Sequence, residues 1–113
     1  MQFIVTPSSL QDARVTVPGD KSVSHRSLML GSIAEGRTEV TGFLAGEDCL
    51  ATLAAMRALG VTIDQPSPTS IAIDGVGLRG LREASGPLDL GNSGTAMRLM
   101  AGLLAGQGFS STL

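Results

Sequence analysis

Pro18-Gly19-Asp20-Lys21-Ser22-Val23-Ser24-His25-Arg26 joins a strand-like run to a helix-like one. Upstream, Ala13-Arg14-Val15-Thr16-Val17 alternates as a strand does, and Pro18-Gly19 stops it. Downstream, Leu28, Met29, Leu30, Ile33 and Ala34 supply the apolar positions of a helix. The first N–H groups of such a helix lack intrahelical partners, and its summed peptide dipoles place roughly half a positive charge there. An anion fits that end. Ser22 and Arg26 are four residues apart and share one helix face, with Lys21 beside them at the turn. A guanidinium grips a carboxylate or phosphate with two hydrogen bonds, and an ammonium adds a point charge, so the pair suits a ligand with several anionic groups. A capped surface helix with solvated charges fits the same residues, since Asp20 and Ser22 are ordinary N-cap types.

Working outward, the pattern is α/β. Residues 2–5 and 13–17 read as short strands around Pro7-Ser8-Ser9, and a first helix is expected from about Ser22 to Glu35, ending at Gly36. Its apolar residues lie on several faces, which predicts a buried helix. Arg37 to Phe43 alternates as a strand. Glu47 to Leu59 reads as a second helix closed by Gly60, and Val61–Asp64 and Thr69–Asp74 as strands joined through Gln65-Pro66-Ser67-Pro68. After a Gly-rich link at 75–87 the pattern restarts: strand Leu88–Leu90, turn Gly91-Asn92-Ser93-Gly94-Thr95, helix Ala96 to about Ala105, and a strand near Phe109. Leu113 falls inside that last expected strand, so the second unit is expected to be truncated.

At 113 residues, 42% hydrophobic and 16% charged, the chain belongs with globular sequences rather than disordered ones. Three Phe and no Trp or Tyr call for an aliphatic core. A net charge of −2 argues against a nucleic-acid surface, which is normally basic. A single Cys, Cys49, excludes an internal disulfide and predicts a reducing, cytoplasmic setting; no Cys/His cluster has metal-ligand spacing. The segment Ala96–Ala105 is well short of the roughly 20 residues that cross a bilayer, so no membrane role is expected.

Three further motifs separate on context. Gly75-Val76-Gly77-Leu78-Arg79-Gly80 matches a dinucleotide-binding turn, but Gly86-Pro87 follows too soon for the required helix. Lys21-Ser22 resembles the end of a nucleotide-binding P-loop without its upstream glycine. The turn Gly91–Thr95 is stronger: glycine permits close backbone approach, Asn92 and Thr95 offer hydrogen bonds, and a helix begins there. Taken in isolation, a plain βα turn capped by Asn or Ser is the favoured reading. Two such turns, one with Lys and Arg and one with glycines, make two anionic groups held side by side a coherent hypothesis. His25, the single histidine, lacks a visible nucleophile or acidic partner and reads as a helix residue near the site; Cys49 reads as core packing.

Residues 18–26, together with Leu90-Gly91-Asn92-Ser93-Gly94-Thr95-Ala96-Met97-Arg98, closely resemble the 5-enolpyruvylshikimate-3-phosphate synthases, enolpyruvyl transferases of the shikimate pathway. Glu47-Asp48 and Leu59-Gly60-Val61 follow the same family, and the resemblance covers the opening part of a much longer protein. It implies an enzyme of two lobes built from repeated βαβαββ units, an inside-out α/β barrel. Residues 1–17 would pair into the other lobe, 18–75 form the first unit and 86–113 begin the second. The implied reaction joins phosphoenolpyruvate to the 5-hydroxyl of shikimate 3-phosphate and releases phosphate, with no metal or organic cofactor. By position, Lys21 would contact both substrates, Ser22 and Arg26 would hold shikimate 3-phosphate, and Gly94 with Asn92 would line the phosphoenolpyruvate pocket. None of these is assigned as the catalytic acid or base, which the resemblance puts beyond Leu113 in the remainder of the enzyme. Ser93 stands where many members have Ala. An inactive fragment, half of a split enzyme, and a UDP-N-acetylglucosamine enolpyruvyl transferase are the alternatives; Ser22 and Arg26 favour shikimate.

Overall fold

Asp20 starts the first helix by accepting the Val23 N–H at 2.7 Å through Oδ1, which satisfies one donor that the helix itself cannot pair. In the computed structural model, which describes residues 1–9 and 11–113, α1 runs Lys21–Ile33, β1 Glu35–Thr41, α2 Glu47–Ala58, β2 Thr62–Ser67, β3 Ser70–Val76 and α3 Gly94–Ala105. The strands form one antiparallel sheet in the order β1-β3-β2, so the last strand inserts between the first two. This mixed α/β arrangement agrees with the sequence pattern, and each helix and each of these three strands falls within a few residues of its expected place.

The sheet has two unlike faces, as period-two alternation requires. Arg37, paired across the ladder with Asp74, donates to that carboxylate at 2.8 Å and lies 3.5 Å from Asp64, forming an exposed charged row. The other face carries Ile63, Ile71 and Ile73 and meets the helices. There α1 packs closely on β3: a methyl on Gly31 would stand 2.8 Å from Ile73 Cδ1, and one on Gly75 only 2.3 Å from the Ala34 carbonyl oxygen. Gly75 therefore serves helix–strand packing. The glycine motif that begins with it leads into turns and bends, and among the described residues no helix follows before Gly94. The core is aliphatic, with Leu28, Met56, Leu59, Ile73 and Met100 fully buried and Phe43 its one buried aromatic.

Several expectations need correction. Residues 2–5 and 13–17 are not strands and are fully exposed; strand pairing needs a partner ladder, and they have none here. Leu10 lies outside the described residues. Leu88–Leu90 and the segment near Phe109 are likewise not strands, although Leu88 N–H donates to the Thr112 carbonyl at 2.8 Å and both leucines are buried. One hydrogen bond does not make a ladder. The β2–β3 connection is tighter than expected: the strands continue to Ser67 and from Ser70, leaving a two-residue turn. Pro66 is tolerated within β2 because β2 is an edge strand. Finally, α1 is buried on one side only, with Val23 and Leu30 each 63% exposed. Its apolar residues outnumber the surfaces available to cover them.

Candidate functional site

The N-termini of α1 and α2 lie together. Gly19 sits so close to the chain after β1 that an added methyl would stand 1.9 Å from the Gly42 carbonyl oxygen, which only glycine allows. Ser24 reinforces the joint, donating to the Asp20 carbonyl at 2.7 Å and accepting the Leu44 N–H at 3.0 Å. The segment after β1 then turns into α2, whose first turn carries Glu47 and Asp48, both favourable at a positive helix end. Lys21 at the start of α1 makes an ion pair with the Asp48 carboxylate. That hydrogen bond holds the Lys21 ammonium above the usual lysine range, against a smaller opposing effect of desolvation.

The third terminus is assembled from the 91–95 turn. Asp89 Oδ1 accepts the Gly91 N–H at 2.8 Å, Gly91 adopts φ +60°, and Ser93 caps α3 by accepting the Ala96 N–H at 3.1 Å. A methyl on Gly91 would lie 3.9 Å from Asp48 Oδ1 and from Ala51 Cβ, so this turn runs past the first turns of α2.

His25 joins the pieces. Fully buried on α1, it places Nδ1 2.9 Å from Thr52 Oγ1 of α2 and Nε2 3.5 Å from Ser93 Oγ. Burial first, then the nearby Lys21 and Arg26 charges, push its pKa below the ordinary histidine value, with Asp48 opposing. The ring is therefore neutral at pH 7. Cys49 is buried on α2 and directs its thiol toward the Lys21 carbonyl at 3.6 Å; burial raises its pKa, the mark of an inert core thiol.

The expected site residues are distributed as follows. Lys21 borders a hollow of about 270 Å³ with Gly46, Asp48 and Cys49. Arg26 is exposed and donates to the Ser22 carbonyl at 3.1 Å, placing these two side by side as their spacing predicts. Arg26 also edges a separate groove of about 540 Å³ between α1 and α3, lined chiefly by apolar residues and by Arg79. Asn92 and Gly94 are exposed at the opening of α3, and Arg98 Nη1 donates to the Gly94 carbonyl at 3.2 Å. Neither hollow is lined by the 91–95 turn, so the two turns are linked through Asp48 and His25 rather than by a common cavity. Asp48, which the resemblance includes without a role, and Thr52 are the members that motif reading did not assign to the site. Their signal was a repeated spacing: Lys21 and His25 are four apart, Asp48 and Thr52 are four apart, and each cross-helix contact spans 27 residues.

Three helix N-termini with a lysine and an arginine near them, on an α/β scaffold, are groups of the kind that suit anions. Comparison with known proteins makes the kinship specific. Residues 5–113 match the model of the family described as EPSP synthase (3-phosphoshikimate 1-carboxyvinyltransferase), and the chain belongs to that family. It is 61% identical over 113 residues to the 3-phosphoshikimate 1-carboxyvinyltransferase of Hydrogenovibrio crunogenus, covering all of this chain and 25% of that protein. The Methylococcus capsulatus relative of the same name is 60% identical over 111 residues, covering 98% of this chain and 25% of that protein. The solved EPSP synthase of Acinetobacter baumannii superimposes with a TM-score of 0.82 at 59% identity, over 86% of this chain and 22% of that one. The chain thus spans about a quarter of the length of the curated relatives it matches. Among the described residues, no helix is long and apolar enough to cross a membrane.

Proposed function

We propose that this chain carries part of the substrate-binding shell of an enzyme that transfers the enolpyruvyl group of phosphoenolpyruvate to the 5-hydroxyl of shikimate 3-phosphate. The observation that carries the reading is the family match over residues 5–113, in which both the Lys21/Arg26 turn and the glycine-bearing 91–95 turn fall. In the reaction, the 5-hydroxyl gives up its proton and its oxygen bonds to C2 of phosphoenolpyruvate while C3 takes up a proton. The resulting tetrahedral adduct then loses a proton from C3 and breaks its C2–O bond to phosphate, restoring the double bond and releasing inorganic phosphate. Both substrates carry a carboxylate and a phosphate, so cations and helix ends offset their repulsion and bring the reacting atoms together.

Within that reading, Lys21 contacts both substrates, Ser22 and Arg26 hold the 3-phosphate of shikimate 3-phosphate, and Asn92 and Gly94 line the phosphoenolpyruvate pocket. An arriving phosphate or carboxylate shares the Lys21 ammonium with Asp48, its ion-pair partner. The segment 1–17 is assigned to a second lobe, 18–75 to one βαβαββ unit and 86–113 to the start of another, in an inside-out α/β barrel. The exposed apolar residues of α1 support that arrangement, because neighbouring units would cover them. Proton transfer and further anion-binding cations are assigned to the rest of the enzyme, and the 113-residue chain alone is expected to show no turnover.

The test is phosphate release by a complete polypeptide containing residues 1–113, supplied with both substrates. Release that requires both, and that falls about a hundredfold in Lys21→Met while the melting temperature is kept, is the expected result. A complete polypeptide that folds and releases no phosphate would overturn the assignment.

A further inference from the structure

A directional chain of hydrogen bonds runs from α2 to the cap of α3. Thr52 Oγ1 lies 3.3 Å from the Asp48 carbonyl oxygen and 2.9 Å from His25 Nδ1. The carbonyl can only accept; with the Thr52 hydrogen placed on it, the Thr52 oxygen accepts from a protonated Nδ1. At the other end, Ser93 Oγ accepts the Ala96 N–H and faces His25 Nε2 at 3.5 Å. On a neutral ring protonated at Nδ1, Nε2 carries a lone pair, and the Ser93 hydroxyl donates to it. Every polar atom then has a consistent role: Ser93 to His25, His25 to Thr52, Thr52 to Asp48. His25 and Thr52 are fully buried and Ser93 is 5% exposed, so solvent does not substitute for these bonds.

We propose that His25 is a positioning residue whose neutral, Nδ1-protonated ring ties the Ser93 cap of α3 to α2 at the level of Asp48, and so sets the Asn92–Gly94 turn relative to Lys21. Its catalytic consequence rests on the enolpyruvyl-transfer reading, whereas the hydrogen bonds do not. Ser22 and Arg26 ride on α1 with His25 and keep their places when the link is cut. The 91–95 turn does not. Loss of the link therefore acts on phosphoenolpyruvate more than on shikimate 3-phosphate.

In the complete enzyme, the nitrogen-15 signals of the His25 ring are identified by their loss in His25→Gln. Protonated Nδ1 with bare Nε2 at pH 8 is expected; the opposite tautomer overturns the proposal. In the complete enzyme, His25→Leu is expected to raise KM for phosphoenolpyruvate about tenfold and Ser93→Ala about threefold, with the double variant rising by less than the product of the two. The cycle cancels the capping loss that Ser93→Ala brings by itself. His25→Gln, whose amide reaches the Nε2 position, is expected to return KM to within about threefold of wild type. Multiplicative effects in the double variant, or equal rises for both substrates, overturn the proposal. If His25→Leu does not fold, the same cycle is run with His25→Phe, which keeps a ring in the buried site and removes both nitrogens. Should the complete wild-type enzyme release no phosphate, the functional reading fails and the tautomer decides this one.

Discussion

Gly94→Ala separates a glycine required by the fold from one required by a ligand. Gly94 is the first residue of α3 and is exposed, and its φ is not in the left-handed region. A methyl there would stand 2.8 Å from Arg98 Nη1 and 3.9 Å from its Cζ, with nothing else within 4 Å. The obstacle is the tip of an exposed, flexible side chain, so it can move aside and lose only its bond to the Gly94 carbonyl. That exposed bond contributes about 0.5–1 kcal/mol. Restricting the unfolded chain by replacing glycine returns about 0.4–1 kcal/mol. The two nearly cancel, and the melting temperature is expected to move by less than about 4 °C. If the turn faces phosphoenolpyruvate, the same methyl intrudes on a small substrate and is expected to raise its KM about 10- to 200-fold, the usual effect of one misplaced carbon. The assays are thermal unfolding followed by circular dichroism and steady-state phosphate release by the complete enzyme. A fall of 8 °C or more (about twice the allowance above) would show that Gly94 is structural, and an unchanged KM would show that the turn does not touch substrate.

Gly75→Ala is the opposite case. Its methyl would meet the Ala34 and Gly31 carbonyl oxygens at 2.3 and 2.5 Å, both backbone, so α1 must lift from β3; a loss of more than about 2 kcal/mol is expected in denaturant unfolding, and wild-type stability would show that helix and strand are not in contact there. The third expectation concerns pH. Burial, Lys21 and Arg26 depress the His25 pKa while Asp48 opposes, so the unfolded chain takes up the proton first. The stability that neutral His25 contributes is complete above its unfolded value of about 6.5 and declines as pH falls through the lower folded-state value. Melting temperatures from pH 8 to 4 should show this decline in wild type and lack that component in His25→Leu; parallel curves would place the sensitivity elsewhere.

The elements legible in the sequence are those whose signals are local. Asp20 and Ser93 are capping types a few residues ahead of apolar runs, and Gly60 follows α2, so all three helices could be placed within a few residues. The segments misread as strands share a different property. Val15 and Val17 alternate like a strand but are 79% and 75% exposed, and Leu88 and Leu90 are buried without a ladder. Alternation records which residues could line a sheet; hydrogen bonding to a neighbour decides whether they do, and that neighbour is not a local property. Pro66 shows the converse, since its ring suggested a connection and the edge position that admits it into β2 depends on strand order.

The site divides along the same line. Ser22 and Arg26 could be paired from their spacing within one helix, and they do lie together. What joins α1 to the 91–95 turn is instead a set of contacts between segments far apart in the chain: Lys21 with Asp48, His25 with Thr52, and His25 with Ser93, 68 residues away. The anion-binding reading needs two turns held at a fixed separation. A charged turn supplies attraction wherever it sits, whereas fixed separation comes from buried side chains without charge of their own. His25, Thr52 and Ser93 meet that description, which is why a scan for cations and glycines finds the groups that would meet substrate and passes over the ones that hold them in register.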